Sequence, residues 1–315
     1  MKTFKQGLFF IVFFLSAFTG YSQKQSLEWI PFQWESATIS DKYIEQAFLY
    51  VPVKIEDLPQ DFTMQLDLGA FETQFYGNTI KPYLEEFSAL AAKLDTIHFN
   101  GRVFPDAIFR GVKLHMGPVT LPFDVWHRYQ FGEEIPRDSL YTETQKHIGT
   151  IAADLFQDRI LIIDYASNRF AVTDALPIEY EGLSSESFEV KNGIIMLPFR
   201  IDGKEQKLMF DTGSSPFPLA SSKERALEIS NGAIIDSLSG PLWWGEEITF
   251  YGMEINKPIE FGEKTLQNGL VYYDKEGLWE ENVFKPGNIW GLTGNAYFFD
   301  NTVIIDYKNK LFRIK

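Results

Sequence analysis

Cysteine is absent from the 315 residues, which removes disulfides, thiol catalysis, cysteine-ligated zinc and iron–sulfur clusters together. Histidine is scarce. His98, His115, His127 and His147 show no i,i+4 pairing, so no metal site is expected. Basic residues are outnumbered, 29 Lys and Arg against 43 Asp and Glu, and the net charge of −14 has the wrong sign for a nucleic-acid partner. There is no G-x-S-x-G elbow and no Gly-rich phosphate loop, which argues against serine-hydrolase and nucleotide chemistry. No stretch approaches the roughly 20 apolar residues that a membrane-spanning helix needs.

What is present begins with a targeting pattern. Lys2 and Lys5 precede an apolar run from Leu8 to Phe18, and small residues follow at Gly20 and Ser22. Residues 1–22 therefore read as a secretory leader, and the chain as an exported protein, periplasmic or secreted, without stable membrane insertion after cleavage. No Cys stands near the cleavage site to carry a lipid. The remainder, 45% hydrophobic with 29 Phe, 14 Tyr and 7 Trp over the whole sequence, has the composition of a globular, aromatic-rich β protein.

The chain repeats itself. Tyr50-Val51-Pro52-Val53 matches Met196-Leu197-Pro198-Phe199, and Leu66-Asp67-Leu68-Gly69-Ala70 matches Phe210-Asp211-Thr212-Gly213-Ser214. Ile108-Phe109-Arg110-Gly111 matches Thr249-Phe250-Tyr251-Gly252. The stretch from Gly149 through Ile162-Ile163-Asp164-Tyr165 to Phe170 matches Gly291 through Ile304-Ile305-Asp306-Tyr307 to Phe312. The four offsets are 146, 144, 141 and 142, in order along the chain, which points to a tandem duplication of a domain-sized unit.

Each copy reads mostly as strand. Residues 62–66 and 207–210 lead into the Asp-x-Gly turns, 112–114, 119–121 and 269–273 follow, and 159–165 and 301–307 have the β-branched, apolar character of buried strands. One helix is expected per copy: 81–94, with Thr79 as its cap and Tyr83, Phe87, Leu90 and Leu94 on one face, and 222–229. Residues 174–192, with Pro177, Gly182 and several serines, read as a linker.

An Asp at the end of a strand, followed by small or permissive residues, places a carboxylate on a tight turn. One such loop is ordinary turn chemistry. Two at matching places in a duplicated chain can bring Asp67 and Asp211 face to face, and a carboxylate pair sharing one proton can activate water.

Phe210-Asp211-Thr212-Gly213-Ser214-Ser215 resembles the active-site loop of aspartic peptidases of the pepsin and retropepsin kind. Gly291-Leu292-Thr293-Gly294 followed by Val303-Ile304-Ile305-Asp306-Tyr307 is similar to that family's hydrophobic-Gly segment and final strand, and the first copy resembles the same pattern more faintly. The resemblance implies an all-β, bilobed acid-protease-like fold. It would be built from two tandem β-barrel lobes with a cleft between them: residues 23–175, a linker at 176–187, and 188–315. It implies Asp67 and Asp211 as catalytic pair, supported by Gly69, Ala70, Thr212, Gly213 and Ser214. The implied activity is an endopeptidase without metal or organic cofactor, acting as a monomer on peptide or protein substrates.

Several positions depart from the family pattern. In the family the Thr of each loop hydrogen-bonds the opposite loop; Leu68 stands there in the first copy. Replacing Leu68 by Thr is expected to preserve or raise stability. Ala70 replaces a hydroxyl residue, and Ala152 stands where Gly is expected. Asp164 and Asp306 recur but read as strand-exit turns. Trp243-Trp244-Gly245 reads as packing or as a hairpin over the cleft, and residues 100–109 as the substrate-covering hairpin. Two other readings stay open at this point: a catalytically silent lobe pair that binds a ligand in its cleft, and a structural module of the cell envelope.

Overall fold

The computed structural model describes residues 27–99, 102–191, 193–243, 245–266 and 269–315. The leader expected at 1–22 lies outside them. The fold is all-β, built from three sheets with a few short helices. No helix among the described residues is long and apolar enough to cross a membrane.

The first sheet runs, in spatial order, Gln33–Ile39, Lys42–Ile55, Phe62–Leu66, His147–Ile151, Gln74–Tyr76, Val119–Arg128, Arg102–Met116 and Leu94–Phe99. Lys42–Ile55 also pairs with Arg102–Met116, at Lys54 with His115 and Ile55 with Leu114, which draws that sheet toward closure. The second sheet repeats the order: Ile194–Ile201, Lys204–Phe210, Gly291–Thr293, Leu219–Ser221, Leu270–Asp274, Glu246–Ile255 and Ser230–Trp243. At its other edge it adds Ile259–Phe261 and Lys264–Thr265. In each copy the strand leading to the Asp turn lies parallel to the strand after the long insertion, with Leu66 beside Ile151 and Phe210 beside Thr293.

The third sheet joins the copies. Ile160–Asp164 pairs antiparallel with Thr302–Asp306, and Ile162 faces Ile304, its own mate at the repeat offset of 142. A ladder in which a residue faces its own duplicate has a local two-fold axis through that pair. Both faces of these strands are covered, Ile163 and Ile305 by the main core and Ile162 and Ile304 by a smaller cluster with Tyr180. Unbroken apolar runs are what such strands require. The main core is continuous across the copies, holding Leu66, Leu68 and Phe156 with Leu197, Phe210 and Phe298.

Two sequence readings shift. The helix expected at 81–94 starts earlier and breaks, as Gly77–Glu86 and Ser88–Ala91, and Leu94 already begins the strand Leu94–Phe99. Phe87 leaves helical geometry at φ −109, ψ 87, and Thr79 lies inside the helix with its hydroxyl on the Glu133 carbonyl rather than capping it. The apolar spacing marked a buried face, but tertiary packing set the ends. The second helix, expected at 222–229, spans Lys223–Glu228 and is capped by Ser222. The linker is partly structured: Glu186–Ser187 pairs with Leu311–Ile314, and Glu189–Lys191 with Ile194–Ile201.

Because the central ladder and the main core span both copies, denaturant should unfold the protein in one cooperative transition. Ile305→Ala, at a fully buried site, should lower its stability by about 2–5 kcal/mol. Two transitions in a urea titration followed by fluorescence and circular dichroism would show instead that the copies unfold separately.

Candidate active site

The parallel ladders end at the two aspartates. Asp67 N–H donates to the Ile151 carbonyl at 2.9 Å, and Asp211 N–H to the Thr293 carbonyl at 3.0 Å, so each Asp is pinned by the same backbone bond. Each side chain then turns back over its own loop. Asp67 Oδ1 accepts from Gly69 N–H at 2.9 Å and Ala70 N–H at 3.1 Å; Asp211 Oδ1 accepts from Gly213 N–H at 2.9 Å and Ser214 N–H at 3.2 Å. The glycines serve the opposite copy as well. A Cβ on Gly69 would sit 2.4 Å from Asp211 Cγ, and one on Gly213 would sit 2.5 Å from Asp67 Cγ. Any larger residue would push the opposing carboxylate out of place.

The structure thus brings all seven sequence-predicted residues together, and the two carboxyl groups hydrogen-bond each other. Both keep some exposure to a cleft but are otherwise enclosed by protein. Burial raises both above the ordinary carboxylate range, and Asp67 is raised further by the charge of Asp211. The loops are not equivalent. Ser214 Oγ donates to Asp211 Oδ2 at 2.7 Å, whereas Ala70 offers Asp67 no hydroxyl. That additional bond stabilises charge on Asp211 relative to Asp67.

Thr212 fastens the loops across the join. Its hydroxyl donates to the Leu66 carbonyl at 2.8 Å and accepts from Leu68 N–H at 2.9 Å, while fully buried. Leu68 returns neither bond. It is packed, fully buried, in the main core. This burial runs against the expectation that Leu68→Thr preserves or raises stability, because the position is given over to apolar packing. A residue that sequence reasoning missed supports the other side: Asn295 donates from Nδ2 to the Thr212 carbonyl at 2.9 Å and accepts from Tyr165 Oη at 2.7 Å.

The aspartates stand on the floor of a cleft of about 600 Å³ lined by both copies. One wall comes from an element the sequence did not mark. The hairpin of Gln33–Ile39 and Lys42–Ile55 reaches from the first copy to the second. Ile39 there joins the apolar cluster of Met196, Met209, Phe217 and Trp279, Ser40 exchanges hydrogen bonds with Ser239, and Lys42 pairs with Asp236. Ser215 Oγ donates to the Gln46 carbonyl at 2.8 Å beside it.

The remaining candidates fall elsewhere. Asp164 and Asp306 tie strand-exit turns, accepting from Ser167 N–H and Asn309 N–H. His147 stacks on Tyr50 with centroids 4.4 Å apart and is pushed down to about 4 by burial; His127 is also lowered by burial, and His115 faces Thr120. The side chain of His98 lies outside the described residues, as do Trp244 and the side chain of Trp243. The hairpin of Leu94–Phe99 and Arg102–Met116 exists where a substrate cover was expected, but its tip, Asn100 and Gly101, lies outside the described residues. No group of three or more potential metal ligands occurs among the described residues.

No family model matches the chain, and no curated protein matches it significantly.

Two outcomes follow from this geometry. Leu68→Thr should destabilise by about 1–3 kcal/mol in urea unfolding, since lost core packing outweighs one new hydrogen bond; an equal or higher midpoint would show that the hydroxyl completes a reciprocal grip. The second concerns pH. The native pair holds a proton in a range where unfolded carboxylates, with pKa about 4, have released theirs. The unfolded state then binds fewer protons, so the pair's contribution to stability falls as pH rises from about 4 through the raised value of Asp67. Asp67→Asn removes that loss, and its stability relative to wild type should improve between pH 4 and pH 7. A flat or reversed difference would mean that the carboxylates do not share a proton.

Proposed function

We propose that this chain is an aspartic-type endopeptidase. The observation that carries the reading is the pair of hydrogen-bonded carboxyl groups of Asp67 and Asp211 at the floor of a cleft, each held by two backbone N–H groups of its own loop. The likeness of the second loop to the pepsin and retropepsin motif supports the same chemistry.

In the proposed reaction the asymmetry of the pair assigns the roles. Asp211, ionised and stabilised by Ser214, takes a proton from a water between the carboxylates as that water's oxygen attacks the scissile carbonyl carbon. Asp67 gives its proton to the carbonyl oxygen, which avoids a free oxyanion and yields a neutral gem-diol. The proton now on Asp211 passes to the leaving nitrogen as the C–N bond breaks, and Asp67 recovers its proton from the gem-diol hydroxyl as the new acid forms. The cycle returns the pair to its starting state. The enclosing apolar cluster strengthens these charge shifts by excluding bulk water.

The protein purified from the full chain should cleave a mixed peptide library with a bell-shaped pH profile on the acidic side of neutrality, unaffected by chelators. Asp67→Asn and Asp211→Asn should each abolish turnover. Activity surviving in Asp67→Asn would rule out the paired mechanism, and binding without cleavage at any pH would favour a silent ligand-binding cleft.

A further inference from the structure

Duplication gives this site an internal control, because the ladder registers match the copies residue for residue. Gln65 pairs with Thr150 as Met209 pairs with Leu292. Gln74 pairs with Thr150 as Ala220 pairs with Leu292, and Tyr50 pairs with Gln65 as Met196 pairs with Met209. The strands flanking Asp67 therefore carry Tyr50, Gln65, Gln74 and Thr150 where those flanking Asp211 carry Met196, Met209, Ala220 and Leu292. At all four positions a hydrogen-bonding residue stands opposite an apolar one.

The difference reaches the cleft. Gln65 and Gln74 line it on one side of the carboxylates, and Met196, Met209 and Leu292 on the other, backed by Phe217 and Trp279. Gln74 is only 7% exposed, yet its carboxamide bonds no other described residue. The carboxamide is not sealed away but opens to the cleft, so an occupant that covers it must replace the hydrogen bonds that water makes there. Tyr76 Oη and Thr150 Oγ1 bond each other at 2.7 Å. Glu72 and Arg128 stand on the same side with opposite signs, so that wall offers hydrogen bonding without a single net charge. The first copy also gives the cleft apolar residues: Phe48, two residues from Tyr50 on the same strand, and Phe71, more than half exposed. On the opposite wall Lys191 is spent on the carbonyls of Pro286 and Gly287, at 3.1 Å each.

We infer that the cleft is two-faced. It takes a peptide with a large apolar side chain on one side of the reacting bond and a neutral hydrogen-bonding side chain, a carboxamide or hydroxyl, on the other, where the carboxamides of Gln74 and Gln65 receive it. The inference rests on the peptidase reading for its scissile bond, but the two faces belong to the cleft whether or not the bond is cut. A carboxamide of Gln or Asn both donates and accepts, as Gln74 does, so the two can bond reciprocally. A leucine in that place would leave Gln74 unpaired, the situation in which polar sites discriminate most strongly.

The test maps cleavage of a peptide library by mass spectrometry and reads the residues on both sides of every cut. Aliphatic or aromatic residues should dominate one side and Gln, Asn, Ser and Thr the other. For two peptides differing only by Gln or Leu on the polar side, kcat/KM should favour Gln by about tenfold or more. Gln74→Leu and Gln65→Met, which copy the character of the second half, should erase that preference or invert it. Apolar residues on both sides of the cuts, with Gln74→Leu unchanged in profile, would overturn the inference and leave the peptidase reading standing. If nothing is cleaved, the same pair of side chains is compared in uncleavable peptides, with a hydroxyl-bearing carbon in place of the amide, by calorimetry. Binding that favours Gln and loses that preference in Gln74→Leu would uphold the two-faced cleft while ending the peptidase reading. Equal or absent binding of both would end the inference too.

Discussion

Two carboxyl groups buried against one another cannot both be charged, and the structure around Asp67 and Asp211 is organised by that constraint. Placing like charges within hydrogen-bonding reach is tolerable only if one proton stays between them. The fold meets the condition from beneath, with four backbone N–H groups directed at the two Oδ1 atoms. It meets it laterally as well, since Gly69 and Gly213 have no side chain to separate the carboxylates. Identical loops would leave the proton equally placed. The Ser214 hydroxyl breaks the tie and makes Asp211 the better home for the charge.

The same imbalance recurs through the join. The second copy supplies the cross-loop hydroxyl of Thr212, the hydroxyl of Ser214 and the amide of Asn295, where the first has Leu68, Ala70 and Ala153 at the matching places. Tyr165 and Tyr307 show the result directly. Tyr165 Oη reaches Asn295 across the two-fold, whereas its mate Tyr307, which would meet Ala153, leaves its buried hydroxyl without a partner. Polar fastening has become the task of one copy, and the other contributes apolar packing in exchange, above all through Leu68. Such a division keeps the loops together with fewer buried polar groups, each of which would need its own partner.

The duplication was legible because four landmarks kept order and spacing, and those landmarks are the ladder strands and turns that the two-fold axis relates. The Asp-x-Gly loops were legible for the same reason: a strand end, a carboxylate and a glycine leave a local signature. The break at Phe87 was not, because the spacing of Tyr83, Leu90 and Leu94 describes burial and not the direction of the chain once tertiary contacts decide it. Asn295 gave no signal, since an amide two residues beyond a strand resembles any loop residue until Thr212 and Tyr165 are seen around it. The hairpin carrying Ser40 was equally silent. Its contacts with Ser239 and Asp236 lie about two hundred residues away in sequence, and no local pattern encodes a partner at that distance.

That hairpin completes the logic of the join. The local two-fold runs through Ile162 and Ile304, and the central sheet holds the copies together on one side of the carboxylates. A hold at a single place would let the copies rock about it, and a carboxylate pair that depends on contact across the join cannot tolerate much rocking. The hairpin adds a second hold, where Ile39 and Ile44 enter the second copy's apolar cluster and Ser40 and Lys42 bond Ser239 and Asp236. Between them Thr212 and Ser215 make a third, with bonds to the Leu66 and Gln46 carbonyls. Three separated attachments fix one rigid body on another. The precision of the pair is therefore a property of the whole join, set by residues that never touch a carboxylate.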